Sequence, residues 1–394
     1  MKKKSKINDK SPKINQSYII NQLAEDREKY FNAVAPPIIQ TSNFAYPTVD
    51  EFSHAIRHEK DEHIYTRGNN PTVDMLCQKI AALEGAEDCL MVGSGAAAIT
   101  NSVMSQVKAG DHIVSVKSPY TWAEHLLTKI LPRFGVETIF IDGSRLENFQ
   151  NAATEKTKLI YLESPNSWTF ELQNLSEIAD FAKEQGITTV IDNSYCTALC
   201  QRPIEHGIDL VIYSATKYYN GHSDVVAGAI CGTKEKITQI FHNEFMTFGN
   251  ILAPQNAWLM LRSLRTLPIR LKQSSESTLK ILEFLRGSDK IERIWYPFEE
   301  NNPQLELANR QMKMPMGMFT IALKNRDVRA IKRFCESLEY FLIAVSWGGH
   351  ESLIMPKCAF VEEDDPRVSQ IRFYIGLEEA DVLLADLEQG LRRL

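Results

Sequence analysis

Residues 213–224 place one lysine, Lys217, among hydroxyl and aromatic side chains, directly after an apolar run that ends at Ile212. A lysine at such a position could be a solvated cation, a clamp for a phosphate group or an amine nucleophile. Its amine reacts only when it carries no proton, and burial beside other cations favours that neutral form. The segment therefore allows Schiff-base and acid–base chemistry at Lys217.

An aspartate and a glycine turn stand at other predicted strand ends. Asp192 directly follows the apolar run 189–191, and a buried carboxylate is costly unless a cation faces it. It could serve as a turn or cap residue, or it could hold a protonated ring nitrogen. Residues 91–98 join a strand to a helix through Gly93 and Gly95, so that backbone N–H groups at the helix start can approach a phosphate.

The glycine turn also satisfies Gly-x-Gly-x-x-Ala, the dinucleotide-binding pattern, which requires an acidic residue at the end of the next strand. Here the next strand, 112–116, ends in Lys117, and Asp111 stands before it. This context favours a lone phosphate over a dinucleotide. Tyr120 lies just past the same strand end, where it could be a core or surface aromatic or could stack on a ring cofactor.

Ser214 and Lys217 also satisfy the Ser-x-x-Lys signature of penicillin-recognising acyl-transfer enzymes. The Ser-Asp-Asn and Lys-Thr-Gly elements of that class do not occur, since Ser223-Asp224 is followed by Val225. A pyridoxal phosphate pocket is predicted by the combination of Lys217, Asp192 and a helix N-terminus that can bind a phosphate.

Alternating apolar runs and helical stretches must position these groups. We predict helices near 96–107, 122–133, 145–153 and 175–185. We predict strands at 89–92, 112–116, 138–141, 159–162, 189–191, 210–212 and 226–230. This order predicts an α/β fold with a mostly parallel seven-stranded sheet, in which the seventh strand runs against the others.

The remaining chain divides into an N-terminal arm and a C-terminal α+β domain. We predict an arm over 1–60 that contacts a neighbouring subunit, a cofactor-binding domain over 61–255 and a smaller domain over 256–394. The smaller domain should contain one long helix over 258–284, kinked or interrupted at Pro268. It should also contain strands at 317–323 and 370–375, and helices near 327–337 and 378–392.

Composition narrows the class of protein. The 394 residues carry a net charge of -6, which argues against a nucleic-acid partner. The first six residues are basic but lack an apolar region, so we expect neither a signal peptide nor a membrane anchor. Seven scattered cysteines indicate reduced thiols in a cytoplasm. Cys196 and Cys200 lack a second pair at metal-ligand spacing, so no metal is expected.

The segments 214–218 and 221–224 resemble the trans-sulfuration family, the pyridoxal-phosphate enzymes of cysteine and methionine metabolism. The resemblance extends from about Pro36 to the C-terminus and implies the aspartate-aminotransferase-like fold (fold type I). It implies that Lys217 is the Schiff-base lysine, that Asp192 holds the ring nitrogen and that Tyr120 stacks on the ring. The phosphate contacts that it implies are Ser214, Thr216, Gly95 and Ala96.

The resemblance also implies an oligomer and a substrate pocket. Tyr65 and Arg67, within 65–72, would reach the cofactor phosphate of a neighbouring subunit in a homotetramer. Arg372 would hold the substrate α-carboxylate as a bidentate pair. Ser346, Trp347 and Tyr120 would line the same pocket.

Two segments resemble the bacterial cystathionine β-lyase branch of the family. Residues 345–349 read Val-Ser-Trp-Gly-Gly, where many γ-acting members carry Glu-Ser-Leu-Gly-Gly, and Ser167 stands where the family commonly has asparagine. The expected reaction is α,β-elimination of L-cystathionine to homocysteine, pyruvate and ammonia. The alternatives are a γ-acting enzyme (cystathionine γ-lyase, cystathionine γ-synthase, methionine γ-lyase or O-acetylhomoserine sulfhydrylase type) and a binding protein without turnover.

Overall fold

A seven-stranded sheet forms the larger part of the protein, of which the computed structural model describes residues 15–394. Its strands are β1 (Asp88–Val92), β2 (His112–Val116), β3 (Glu137–Ile141), β4 (Thr157–Glu163), β5 (Thr188–Asp192), β6 (Leu210–Tyr213) and β7 (Gly228–Gly232). Their spatial order is β1-β7-β6-β5-β4-β2-β3, and β7 pairs antiparallel with both of its neighbours. The predicted α/β class, the mostly parallel sheet and the reversed seventh strand are confirmed.

Helices cover both faces of this sheet. The first ten α-helices among the described residues are α1 (Gln16–Asn21), α2 (Val49–Arg57), α3 (Pro71–Glu84), α4 (Gly95–Met104), α5 (Thr121–His125), α6 (Leu146–Ala152), α7 (Leu175–Gln185), α8 (Thr197–Cys200), α9 (Lys234–Ile240) and α10 (Met246–Phe248). Along β1, Met91 belongs to one buried apolar cluster, and Leu90 and Val92 belong to another on the opposite face. Because both faces of β1 are buried, this strand contains a continuous apolar run rather than an alternating one.

A second, five-stranded sheet forms the smaller part. Its strands are β8 (Ile291–Trp295), β9 (Met318–Leu323), β10 (Leu342–Ile343), β11 (Leu353–Pro356) and β12 (Gln370–Tyr374), in the order β10-β11-β12-β9-β8. The predicted β9 and β12 are present, whereas β8, β10 and β11 were not predicted. β8 is half-exposed and interrupted by Glu292 and Arg293, whereas β10 and β11 span only two and four residues, which is too short for an apolar run to indicate a strand by itself.

The predicted long helix over 258–284 is interrupted beside Pro268 and forms two helices, α11 (Pro254–Leu264) and α12 (Leu267–Arg286). Pro268 stands in the first turn of α12, where its missing N–H has no partner to lose. Three more helices follow: α13 (Leu305–Gln311), α14 (Val328–Ser337) and α15 (Ala380–Leu391). The proline therefore starts the second helix rather than bending a single one.

The arm contacts its own chain. Glu25 is buried and forms ion pairs with Lys79 and Arg265, each at 3.2 Å. Trp258 Nε1 donates a hydrogen bond to the carbonyl of Pro36 at 2.8 Å. The basic segment 1–6 lies outside the described residues, and the division into 1–60, 61–255 and 256–394 stays a prediction.

Two kinds of feature are absent from residues 15–394. No helix in this range combines the length and the hydropathy needed to cross a membrane. Over the same range, no group of three or more histidine, cysteine, aspartate or glutamate side chains could hold a metal ion. All seven cysteines are free thiols, and five of them are buried.

Candidate active site

The carboxyl ends of β4, β5 and β6 meet at one edge of the large sheet, where open parallel sheets bind their ligands. Glu163 ends β4, Asp192 ends β5, and the two residues are direct partners in the parallel register. Tyr213 ends β6, and the segment that carries Lys217 begins at the next residue. The predicted lysine and aspartate are thus brought to neighbouring strand ends.

Lys217 is mostly buried, and its amine contacts the smaller domain. The Nζ atom donates a hydrogen bond to Ser346 Oγ at 2.5 Å and lies 5.9 Å from the centre of the Trp347 ring. Burial and the nearby charge of Arg372 lower the pKa of Lys217 to about 8, although Asp192 opposes the shift. A substantial share of these amines is therefore neutral near pH 8, as nucleophilic and base chemistry requires.

Asp192 is buried with little to compensate its charge. Its Oδ1 accepts a hydrogen bond from the backbone N–H of Ser194 at 2.9 Å. Burial raises the pKa of Asp192, and the hydrogen bonds from Ser194 and the charge of Lys217 only partly offset that shift. Within residues 15–394 it forms no ion pair, so a cationic ring nitrogen at this place would supply the missing partner.

The start of α4 lies against the segment that carries Lys217. Ser94 caps the helix, with its Oγ accepting a hydrogen bond from the Ala97 N–H at 3.0 Å. A Cβ atom added to Gly95 would lie 2.7 Å from Ser214 Cβ, so only glycine permits this approach. The first amides of a helix lack intrahelical acceptors and can bind an anion, and here Gly95 and Ala96 supply them beside Ser214.

Thr216 is held by Ala227, the residue directly before β7. Its Oγ1 donates to the Ala227 carbonyl at 3.1 Å and accepts from the Ala227 N–H at 2.9 Å. The backbone N–H of Ser214 donates to Ser194 Oγ at 2.6 Å. These bonds fix the turn that positions Lys217 relative to the helix start.

These groups fit pyridoxal phosphate. An amine with a lowered pKa, an exposed helix start and a buried carboxylate correspond to the aldehyde, the phosphate and the ring nitrogen of that molecule. Each group comes from a different strand end, so the sheet sets the distances between them.

A residue that was not predicted, Glu163, connects several predicted ones. Its Oε2 accepts a hydrogen bond from the Tyr120 N–H at 2.6 Å, and its Oε1 accepts one from Ser167 Oγ at 2.7 Å. Burial and the adjacent Asp192 raise the pKa of Glu163 to about 8. Its position at the end of the strand that precedes Ser164 was the available signal, because strand-end polar residues gather at this edge.

Arg372, on β12, forms the substrate side of the site. Its guanidinium donates hydrogen bonds to the carbonyls of Ser167 at 3.3 Å and Ser346 at 3.5 Å. The side chain is buried, which lowers its pKa to about 10 despite the opposing charge of Glu163. Among the described residues no carboxylate pairs with Arg372, so its planar guanidinium remains available to bind a substrate carboxylate.

The segment 346–349 packs directly on the lysine loop. Ser346 adopts a positive φ of 82°, and a Cβ atom added to Gly348 would lie 2.8 Å from the Tyr218 backbone nitrogen. The Trp347 ring lies 5.3 Å from the Tyr218 ring. The structure therefore brings Ser346, Trp347 and Lys217 together, and positive φ at a non-glycine residue is typical of a functional constraint.

Tyr65 and Arg67 lie elsewhere. The guanidinium of Arg67 stands 5.5 Å from the centre of the Tyr65 ring, and the backbone of this segment bonds to Ser42. In the described part of the chain, no hydrogen bond or ion pair connects either residue to Lys217. Their predicted contact with the site of a neighbouring subunit stays a prediction.

A family model described as Cys/Met metabolism PLP-dependent enzyme matches residues 17–392. An L-methionine gamma-lyase of Treponema denticola is 37% identical over 377 residues, covering 92% of this chain and 94% of that protein. A cystathionine beta-lyase of Lactococcus lactis subsp. cremoris is 34% identical over 375 residues, covering 93% and 96%.

A solved structure shares the fold of this chain. Cystathionine gamma synthase from Xanthomonas oryzae pv. oryzae, determined in complex with aminoacrylate and cysteine, superposes with a TM-score of 0.89. The two sequences are 30% identical, and the match covers 96% of this chain and 98% of that one. The similarity to these proteins, in both sequence and fold, therefore extends over nearly the whole chain.

Proposed function

The chain belongs to the pyridoxal-phosphate-dependent enzymes of cysteine and methionine metabolism, and from that membership we propose that it catalyses α,β-elimination of L-cystathionine. Pyridoxal phosphate is the cofactor, and the protein is a lyase of this family. In the proposed reaction, L-cystathionine and water give homocysteine, pyruvate and ammonia.

Four residues are proposed to hold the cofactor. Lys217 would attach to its aldehyde, Asp192 would pair with its ring nitrogen, and Gly95 and Ser214 would border its phosphate. The bound group supplies a conjugated ring into which the electron pair at the substrate Cα can delocalise. The buried Asp192 would keep the ring nitrogen protonated, since burial favours pairing of the carboxylate with a cation.

The protein residues then handle the substrate and one proton. Arg372 holds the α-carboxylate through two parallel N–H groups, which orients the Cα–H bond. Lys217 Nζ removes the Cα proton, while Ser346 Oγ accepts a hydrogen bond from Nζ and fixes its direction. The Cβ–S bond breaks with its electron pair on sulfur, the sulfur takes a proton, and water then releases pyruvate and ammonia.

The observation that supports β-elimination is the confinement of Lys217 Nζ by Ser346 and Trp347. β-Elimination needs one proton removed, from Cα, whereas γ-elimination needs a second removed from Cβ. An amine hydrogen-bonded on one side and faced by an indole on another has little room to serve both carbons. The geometry therefore favours a base that works at one carbon.

A second candidate is γ-elimination on a sulfur amino acid. The L-methionine gamma-lyases of Treponema denticola and Fusobacterium nucleatum, at 37% and 36% identity, support it. The same lysine, aspartate and arginine would serve this reaction, so the choice rests on the surroundings of Nζ rather than on the residues that bind the cofactor.

Identifying the keto acid separates the two candidates. Purified holoenzyme given L-cystathionine should release pyruvate, and it should leave L-methionine unchanged. Formation of 2-oxobutyrate from either substrate would instead establish γ-elimination.

Enlarging the space around Nζ sharpens this test. Trp347→Leu should increase the share of 2-oxobutyrate, because the smaller side chain frees Lys217. Trp122→Leu, at an exposed tryptophan, is the matched control and should leave the product ratio unchanged.

We also propose a cytoplasmic homotetramer in which Tyr65 and Arg67 complete the site of a neighbouring subunit. Support comes from the buried free thiols and from the position of both side chains away from Lys217 of their own chain. Light scattering measures the assembly. Co-expressing Arg67→Ala with Lys217→Ala should restore up to roughly a quarter of activity if Arg67 acts across subunits, and no restoration would argue against it.

A further inference from the structure

Trp168 contacts two cations, one of which is Arg372 of the candidate site. The Nζ atom of Lys357 stands 3.9 Å from the centre of the indole ring, and the Arg372 guanidinium stands 5.4 Å from it. The two cations therefore share one aromatic neighbour, although like charges repel each other. An anion brought to this place would relieve that repulsion.

Lys357 has no anion of its own within the described residues. It begins the short turn after β11, and its side chain is half-buried. The carboxylate of Asp365, which also influences Lys357, is engaged by Arg367 through two hydrogen bonds of 2.9 and 2.7 Å. Partial burial and the cations Arg367 and Arg372 lower the pKa of Lys357, which is the expected response of an ammonium that lacks a partner.

The backbone turn that carries the indole is held by Asn166. Asn166 is buried, and its Oδ1 accepts hydrogen bonds from the backbone N–H groups of Trp168, Thr169 and Phe170 at 3.3, 3.0 and 2.8 Å. These bonds fix the turn that presents Trp168 to Lys357. A contact surface organised before binding loses little conformational entropy when a ligand arrives.

We propose that Lys357 and Trp168 form a second subsite, which binds the distal carboxylate of a thioether amino acid while Arg372 holds the α-carboxylate. The inference rests on the proposed function and names its substrate class: sulfur amino acids with a carboxylate on the leaving group, such as L-cystathionine. The indole face covers the methylene groups beside sulfur, and the Lys357 ammonium pairs with the terminal carboxylate. Methionine carries no such carboxylate and gains nothing from Lys357.

Two substrates with the same breaking bond test the subsite. L-Cystathionine carries the distal carboxylate, S-ethyl-L-cysteine lacks it, and both yield pyruvate when the Cβ–S bond is cleaved. In holoenzyme, Lys357→Met should raise KM for L-cystathionine about tenfold or more, because a charge-assisted hydrogen bond is lost. Values of kcat/KM for S-ethyl-L-cysteine should stay within about twofold.

Three variants serve as controls. Lys357→Arg keeps the cation and should recover most of the affinity for L-cystathionine. Lys324→Met removes an exposed charge from the same sheet domain and should change neither substrate. Trp168→Leu should weaken L-cystathionine more than S-ethyl-L-cysteine, because it removes the indole beside Lys357. Equal losses for both substrates, or no loss for either, would overturn the subsite.

The subsite and the proposed reaction fail in distinguishable ways. Release of 2-oxobutyrate from L-cystathionine would overturn β-elimination and leave the KM comparison between Lys357 variants valid. If native holoenzyme leaves L-cystathionine intact, calorimetric titration with that compound replaces KM. A Kd raised about tenfold by Lys357→Met then supports the subsite, and an unchanged Kd or absence of binding overturns it.

Discussion

The two ends of the site are built differently. At the cofactor end, Gly95, Asp192 and Ser214 come from one sheet, and backbone is packed so closely that an added Cβ would lie 2.7 Å from Ser214 Cβ. At the substrate end, Arg372 comes from β12 of the second sheet, Lys357 comes from the turn after β11, and Val345, which precedes Ser346, is 68% exposed. The cofactor end tolerates almost no change of shape, whereas the substrate end has side chains that face solvent.

This contrast separates two tasks. Holding a ring and a phosphate requires fixed backbone groups, which parallel strand ends and a helix start supply. Selecting a substrate requires only side chains, which can differ while the fold stays the same. Relatives named for different activities, at 37% and 34% identity, are consistent with a shared cofactor end and a variable substrate end.

The largest expected effect is at the residue that belongs to both ends. Lys217→Ala should lower kcat roughly 10⁴-fold, because the amine that removes the Cα proton is gone. Borohydride treatment should leave cofactor covalently attached to the native chain and not to the variant, as measured by mass spectrometry. Lys324→Ala is the control, and attachment to the Lys217 variant would refute the assignment of the lysine.

At the cofactor end, a change of shape should weaken the binding of pyridoxal phosphate. Gly95→Ala forces a Cβ atom against Ser214, and overpacking of this kind costs about 1–3 kcal/mol. Binding of pyridoxal phosphate should therefore weaken roughly tenfold to hundredfold, measured by titrating apoprotein and following absorbance. Gly287→Ala, where the nearest atom to the new Cβ is 3.5 Å away, should leave binding unchanged. If both variants bound pyridoxal phosphate equally well, the cofactor end would not depend on close backbone packing, and the contrast between the two ends would be wrong.

At the substrate end, a change in the geometry of the cation should weaken substrate binding, while the cofactor stays bound. Arg372→Lys keeps a cation but loses the planar fork, so KM should rise about tenfold with a smaller change in kcat. Cofactor content, read from absorbance, should equal that of native protein. If Arg372→Lys instead lost pyridoxal phosphate, the two ends would be one structural unit.

The smallest effect concerns coupling between the ends. Lys217 has a pKa of about 8 because of burial and the charge of Arg372, and only the neutral amine attacks an aldehyde. The rate at which apoprotein takes up pyridoxal phosphate should therefore rise with pH, about tenfold per unit below the pKa, and level off above it.

Removing the charge of Arg372 tests the same coupling. Arg372→Met should move the midpoint of the uptake rate upward, because one of the two causes that lower the pKa of Lys217 is lost. Stopped-flow absorbance measures the rate. A midpoint that stays in place would show that the substrate end does not influence the lysine.

Much of the larger domain could be predicted because its signals are local. Each strand of the parallel sheet is a short apolar run, and each helix between strands has its own apolar period. The strands β8, β10 and β11 were missed because charged residues interrupt β8, and β10 and β11 span only two and four residues. Pro268 indicated a break in the helix, but its place in the first turn of α12 depends on the preceding turn.

Parts of the site escaped prediction for a different reason. Glu163 was visible in the sequence, but nothing local indicated that it would accept hydrogen bonds from Tyr120 and Ser167. Trp168 and Lys357 lie far apart in the chain and meet only because β11 and β12 are paired beside the large domain. Neither residue belongs to a motif.

The sequence by itself determined the identity of the reactive groups: the Lys217 segment, Asp192 at a strand end and the glycine turn at Gly95. Each depends on residues within a few positions of one another, so local spacing is sufficient. Tertiary structure decided that Ser346, 129 residues away, accepts a hydrogen bond from Lys217, and that Arg372 lowers the pKa of this lysine. Such distances are set by the packing of two sheets, which no local pattern encodes.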